Sequence, residues 1–197
     1  MIGDARDPGY FDALYAANAD PWRFETSEYE AQKYAETIAA LPRPRYADAV
    51  EIGCSIGVLT ERLASRAGTV LGIDVAQAAL DKAAARCAAL PHVCFAKLRV
   101  PDEALPGHFD LILLSEVLYY FDRPTLKRVA DQLHKAARPG TDLVLIHWLG
   151  ETPDYPHTGD MAVETFIAAT RDWTRVTRQE RRENYRLDVL RVAPAIR

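Results

Sequence analysis

Glu51 and Asp74 stand 23 positions apart (74 − 51 = 23), each after a short apolar run, Ala49–Ile52 and Val70–Ile73. After Glu51 come Gly53 and Gly57, with Cys54 and Ser55 between them, and Val58 onward reads as a helix. Glycine at both ends of a strand-to-helix bend permits positive φ or a close backbone approach to a ligand, and the following helix opens with unpaired N–H groups. Such a polar cradle at the carboxyl end of a strand is where open α/β sheets bind ligands. A dinucleotide loop counted from Gly53 needs glycine at 55 and 58, where Ser55 and Val58 stand.

The pattern is instead acid, apolar, Gly, three residues, Gly, with a second acid at the end of the next strand. Two carboxylates suit a cationic, hydroxyl-bearing ligand better than a pyrophosphate. S-adenosylmethionine, with a sulfonium, an ammonium and a ribose diol, has that chemistry. A carboxylate at Asp74 would accept both ribose hydroxyls, the task it has in dinucleotide folds, or else cap the helix that follows Val75. Glu51 would meet the methionine ammonium, directly or through water, or remain a solvent-facing acid. Cys54 and Ser55 would offer backbone N–H groups to the methionine carboxylate.

Asp20-Pro-Trp-Arg, Tyr29-Glu-Ala-Gln-Lys-Tyr34, Leu41-Pro-Arg-Pro-Arg-Tyr46, Glu51 to Thr60 and Phe109 to Tyr120, in this order, resemble the class I S-adenosylmethionine-dependent methyltransferases. Within them the likeness is to the nodulation protein S family of N-methyltransferases, over roughly the first two thirds of the chain. The resemblance implies a Rossmann-like α/β fold, a mainly parallel seven-stranded sheet with helices on both faces and an antiparallel C-terminal edge pair. It also tips Trp22 and Tyr34 toward cofactor contact rather than ordinary core. In the wider fold the end of the third strand contacts adenine. Here that stretch is Ala96-Lys-Leu-Arg99, where backbone N–H of Leu98 or Arg99 would meet the ring and Arg99 could stack on it.

Further along, the apolar run Phe109–Leu114 reads as a central strand. Ser115 and Glu116 at its end would then lie beside the glycine loop, toward the transferred methyl group. Tyr119 and Tyr120 line or lid the substrate site, or are core; clustered polar groups at a site mouth favour the former. His147 ends a later strand as a general base or a satisfied buried histidine. Asp160 either caps a helix Met161–Thr170 or reaches a substrate amine or hydroxyl. Zinc held by His147, His157 and an acid matches no structural-zinc spacing, so no metal is expected.

The elements that must position these residues follow from pattern. Residues 8–41 read mostly as helix: Tyr10, Leu14 and Tyr15 share a face, Asp20-Pro-Trp breaks the run, Ser27 caps a helix Glu28–Ala40, and Pro42 and Pro44 end it. From Asp48 strands near 48–53, 69–73, 92–97, 109–115 and 141–148 alternate with helices near 57–66, 76–89 and 124–137, as in a parallel sheet covered on both sides. Trp173–Arg178 and Tyr185–Val192 alternate at period two and suggest the antiparallel pair. A single domain is expected, with residues 1–44 a helical cap and 45–197 the core; 197 residues suffice to bury a core unaided.

With 24 Lys and Arg against 28 Asp and Glu, net −4, the chain lacks the basic excess of a nucleic-acid binder. The arginines of 171–191 are interleaved with acids, as on a solvated face. Three cysteines without paired or metal-ligand spacing, no basic-then-apolar start and no apolar stretch near about eighteen residues point to a cytoplasmic protein with no membrane partner. The expected activity is methylation of a small-molecule acceptor, at nitrogen, with an amino sugar as one acceptor class. The alternatives are O-methylation of a small metabolite, or cofactor binding without turnover. Oligomeric state is open.

Overall fold

A computed structural model describes residues 9–194. Contacts group the chain into two compact units, Met1–Leu98 and Arg99–Arg197, and each is taken by itself.

In the first unit, helix α1 (Tyr10–Ala17) precedes the Asp20-Pro-Trp break, and α2 (Glu28–Ala40) begins where Ser27 accepts the N–H of Glu30. Asp20 holds the break by accepting the N–H groups of Phe24 and Glu25. Strands β1 (Tyr46–Ile52), β2 (Ala67–Asp74) and β3 (Val93–Lys97) pair in parallel in the order β3-β2-β1. Between them run α3 (Val58–Leu63), a 3₁₀ turn (Ala64–Arg66) and α4 (Gln77–Arg86). The expected single helix over 57–66 is therefore split, and α4 stops short of residue 89. Arg66 fixes the proline connector by donating to the carbonyls of Ile38, Arg43 and Pro44 at 2.6–2.7 Å, satisfying acceptors at the end of α2.

The second unit contains β4 (Phe109–Ser115), a 3₁₀ turn (Leu118–Tyr120), α5 (Arg123–Ala136), β5 (Ala137–Trp148), α6 (Gly159–Thr170), β6 (Thr174–Arg181) and β7 (Tyr185–Val192). Its strand order is β4-β5-β7-β6, with β4 and β5 parallel and β7 antiparallel to both of its neighbours. Leu111–Leu114 and Leu143–Ile146 are fully buried, the unbroken apolar run of strands covered on both faces. Helix α5 is capped by Asp122, carries Pro124 in its first turn and lays Leu126, Val129, Ala130 and Leu133 on its buried side. The seven strands make the mixed, mainly parallel sheet of the class I methyltransferase fold, with β6 and β7 as its antiparallel pair.

Three expectations need correction here. The strand expected near 141–148 begins earlier, at Ala137, so that Pro139-Gly140 lies inside the start of β5. Gly140 at φ +80° lets the strand bend, the pairing jumps from Phe109↔Ala137 to Leu111↔Asp142, and Thr141 Oγ1 patches the irregularity against Phe109 O at 2.7 Å. Asp160 does not cap α6, because Thr158 holds that position and accepts the Met161 N–H. Finally, the arginine-rich tail is more than a solvated face. Arg186 is 3% exposed and bound to Asp188, Asp160 and Glu164.

Candidate functional site

The turn after β1 holds three successive features that only local chemistry explains. Gly53 and Gly57 take φ +80° and +77°, and Ser55 between them takes +50°, a left-handed conformation unusual for a residue with a side chain. Ser55 is held there from two sides: its N–H donates to Asp74 Oδ2 at 2.9 Å, and its hydroxyl bonds the Tyr15 hydroxyl from α1. The tight approach at Gly57 is to protein, since a Cβ there would come within 2.8 Å of Ala83 Cβ on α4. Asp74 receives a second backbone donor, Ala76 N–H on Oδ1 at 2.9 Å, so it organises the entry to α4 without being its capping residue.

Glu51 is 2% exposed, which removes the solvent-facing alternative. Its Oε2 accepts from Thr60 Oγ1 on α3 at 2.6 Å. Burial pushes its pKa up to about 8, opposed by the Thr60 bond and reinforced by Asp74. Burial likewise raises Asp74, against the lowering effect of the backbone donors. Neither carboxyl meets a Lys or Arg among the described residues. Two carboxyls ending adjacent parallel strands without a cation, beside a left-handed bend, fit a ligand that brings its own positive charge and hydroxyl donors.

Around this bend packs an aromatic cluster. Tyr15 contacts the half-buried Trp22 edge-on at 5.8 Å, Trp22 stacks on Phe24 at 5.5 Å, and these with Phe11 cover Ile56, Ala76 and Ala79. Tyr34 is buried on α2 with the Arg62 guanidinium 5.7 Å above its ring. Tyr15 and Thr60 are the residues that sequence reasoning missed. Thr60 was readable as the third residue after Gly57, on the first turn of a helix leaving the Glu51 strand; nothing in pattern links Tyr15 to Ser55, 40 residues away.

Four expected backbone donors are already engaged. Cys54 N–H, like Gly53 N–H, donates to Ile73 O; Ser55 N–H goes to Asp74; Leu98 N–H goes to Asp74 O; and Arg99 N–H goes to Glu103 Oε2. The loop uses these groups to build itself, so the expected backbone N–H roles of Cys54 and Ser55 toward a carboxylate and of Leu98 and Arg99 toward adenine are not supported. Val75, between Asp74 and α4, is half-buried.

In the second unit, Ser115 is buried at the end of β4 and Glu116 follows at φ +55°. Glu116 is pinned to the end of β5: its N–H donates to Ile146 O at 2.9 Å, and its Oε2 accepts Trp148 N–H at 2.8 Å and the Tyr119 hydroxyl at 3.2 Å. Tyr119, Tyr120 and Tyr155 pack ring to ring at 4.6–5.5 Å, and burial raises the first two phenols well above their ordinary range. Tyr155, in the loop before α6, was not singled out from the sequence.

His147 is fully buried, and its Nε2 accepts the N–H groups of Leu118 at 3.0 Å and Val117 at 3.4 Å. A nitrogen that accepts carries no proton, so the ring is neutral with hydrogen on Nδ1. Burial and the engagement of Nε2 by backbone donors fit the buried histidine better than the general base. Asp160 is also occupied: Arg181 grips both its oxygens at 2.6–2.7 Å, Arg186 adds 2.9 Å, and these bonds, Arg181 first, hold its pKa down. It ties the start of α6 to Arg181 and Arg186. Gly159 beside it lies so close to β5 that a Cβ would sit 1.9 Å from Trp148 O.

Strand order and glycine bend are those of the class I methyltransferase fold. The family model for nodulation protein S (NodS) matches residues 13–145, and the chain belongs to that family. Nodulation protein S of Bradyrhizobium diazoefficiens is 32% identical over 120 residues, 60% of this chain and 54% of that protein. A ubiquinone biosynthesis O-methyltransferase of Methylococcus capsulatus is 33% identical over 96 residues, 47% of this chain and 39% of that protein. The crystal structure of N-methyltransferase NodS from Bradyrhizobium japonicum WM9 with S-adenosyl-L-homocysteine superposes with a TM-score of 0.80 at 23% identity, covering 94% of this chain and 98% of that one. The chain spans about half the length of the curated relatives it matches.

Proposed function

We propose that this chain is an S-adenosylmethionine-dependent methyltransferase that methylates nitrogen in a small-molecule acceptor. The observation that carries the reading is the pair Glu51 and Asp74, buried or half-buried at the ends of the adjacent strands β1 and β2 with no cationic partner among the described residues. Asp74 would take the ribose hydroxyls, since its oxygens each hold one backbone donor and retain lone pairs. Glu51 would take the amino-acid ammonium. Trp22 and Tyr34 would contribute apolar surface.

When bound, the cofactor supplies a methyl on a sulfonium that departs as a neutral thioether, so no strong acid is needed. What remains for the protein is positioning and proton removal. Glu116, held by Trp148 N–H and Tyr119, is proposed to orient the acceptor amine and take its proton; Ser115, Tyr119 and Tyr120 would shape that site. The nitrogen preference is supported by membership of the nodulation protein S family, in which the B. japonicum protein is an N-methyltransferase. An amino sugar is the acceptor class we favour. O-methylation is the second reading, supported by the M. capsulatus relative. The three cysteines are free thiols, which suits a reducing cytoplasm, and no described helix is long and apolar enough to cross a membrane.

The test is a methyl-transfer assay with labelled cofactor against amines, amino sugars, hydroxyls and thiols. Transfer to amines is expected. Methylation confined to hydroxyls would replace the nitrogen reading, and cofactor binding without turnover on any acceptor would replace the enzyme reading.

A further inference from the structure

Glu51 is chemically out of place in a cofactor-free chain. It sits at the end of β1, 2% exposed, with one neutral donor, Thr60 Oγ1, within hydrogen-bond reach. Among the described residues, the ionisable groups around it are Asp74 from β2, the Cys54 thiol in the glycine bend and the Cys87 thiol after α4. None of them brings a positive charge at neutral pH. A buried carboxylate in such surroundings is costly, and burial favours the protonated form.

The cofactor reading adds an ammonium to this place, and the charge balance then reverses. We propose that Glu51 is a neutral carboxylic acid in the cofactor-free chain and releases its proton to solvent when the amino-acid end of the cofactor arrives, so that cofactor binding is coupled to proton release. The O–H bond of the carboxyl breaks, its electron pair stays on the oxygen, and the proton passes to buffer. The resulting carboxylate pairs with the ammonium while Thr60 continues to donate. The inference rests on the proposed cofactor site and goes beyond it by making Glu51 a selector for ligands with a positive charge at the amino-acid end.

The folded pKa near 8 sets the window. At pH 7 about nine tenths of the chains would carry the proton, so binding releases about 0.9 proton, falling to about 0.1 at pH 9. Affinity would rise about tenfold from pH 7 to the plateau above pH 9.

The experiment is calorimetric titration of S-adenosylhomocysteine into the full chain, in buffers of different ionisation enthalpy, at several pH values from 6 to 9. A buffer-dependent heat at pH 7 that vanishes by pH 9 is expected. Glu51→Gln, which keeps an acceptor for Thr60, should bind more weakly with no proton released. Thr60→Val removes the donor that favours the charged form and should move the release window to higher pH. Binding with no buffer dependence at pH 7 overturns the inference and leaves the cofactor reading standing. Release that persists in Glu51→Gln overturns it too, by assigning the proton to the ligand amine or another group. Failure of S-adenosylhomocysteine to bind at all overturns both.

Discussion

Glu51 and Asp74 in the first unit and Asp160 and Asp188 in the second are all fixed by hydrogen bonds, yet their donors differ in kind. In the first unit the donors are a threonine hydroxyl and backbone N–H groups, which hold geometry but bring no charge. In the second they include the guanidinium groups of Arg181 and Arg186, beside the neutral Gln179 amide on Asp188. The pKa shifts follow: Glu51 and Asp74 go up with burial, Asp160 goes down with Arg181 beside it. Acids neutralised by their own chain build structure. In the proposed site, acids left without a cation would take one from the ligand, and that contrast separates the proposed binding groups from scaffold more sharply than exposure does, since Glu51 is as buried as Asp188.

The comparison can be broken most forcefully at Arg186. Replacing Arg186 with alanine leaves Asp188 buried without its charge partner and should remove about 3–5 kcal/mol of stability, read from urea unfolding; a loss below about 1 kcal/mol would mean the network is decorative. Next, Asp74→Asn should weaken S-adenosylhomocysteine binding about 100-fold, because hydrogen bonds to a charged group contribute about 1.5–3 kcal/mol each. An unchanged dissociation constant would remove Asp74 from the site.

A pH series sharpens the contrast from both ends. Glu51 binds more protons folded than unfolded between its ordinary value of 4.5 and about 8, so it lowers the stability of the cofactor-free chain as pH rises through that interval. Glu51→Gln should therefore be more stable than the parent at pH 8.5, by about 1–3 kcal/mol, and nearly equal to it below pH 5. Asp160 works in the opposite sense: its contribution is present above its unfolded pKa and lost as acid takes pH through its depressed folded value. Equal unfolding of Glu51→Gln and parent across pH 5–8.5 would contradict the first half. The smallest effect is expected for Tyr15→Phe, which deletes the partner of Ser55 and should cost about 1 kcal/mol, seen as roughly fivefold weaker S-adenosylhomocysteine binding.

What could be read in advance was whatever depends on spacing along one strand or helix. Helix Glu28–Ala40, strand Phe109–Ser115 and the two carboxyls at strand ends follow from periodicity, caps and a glycine bend, all local signals. Harder to see was how backbone donors are shared out. Cys54 and Ser55 look available in the sequence, but Ile73 O and Asp74 claim them once β1 and β2 pair. The same limit hid His147, whose role depends on two N–H groups 29 and 30 residues earlier. Asp160 was misjudged because its partners, Arg181 and Arg186, come from strands that a helical window never includes.

The position of β7 has a consequence for how the second unit can be made. Strand β5 ends at Trp148 and its partner begins at Tyr185, 37 positions later (185 − 148 = 37), with β6 synthesised in between. During translation both β5 and β6 must wait with an open edge until the strand that joins them leaves the ribosome. An unpaired edge as apolar as Leu143–Ile146 invites association with other chains. Nascent chains stalled before Tyr185 should thus need chaperone protection that chains released after Val192 do not.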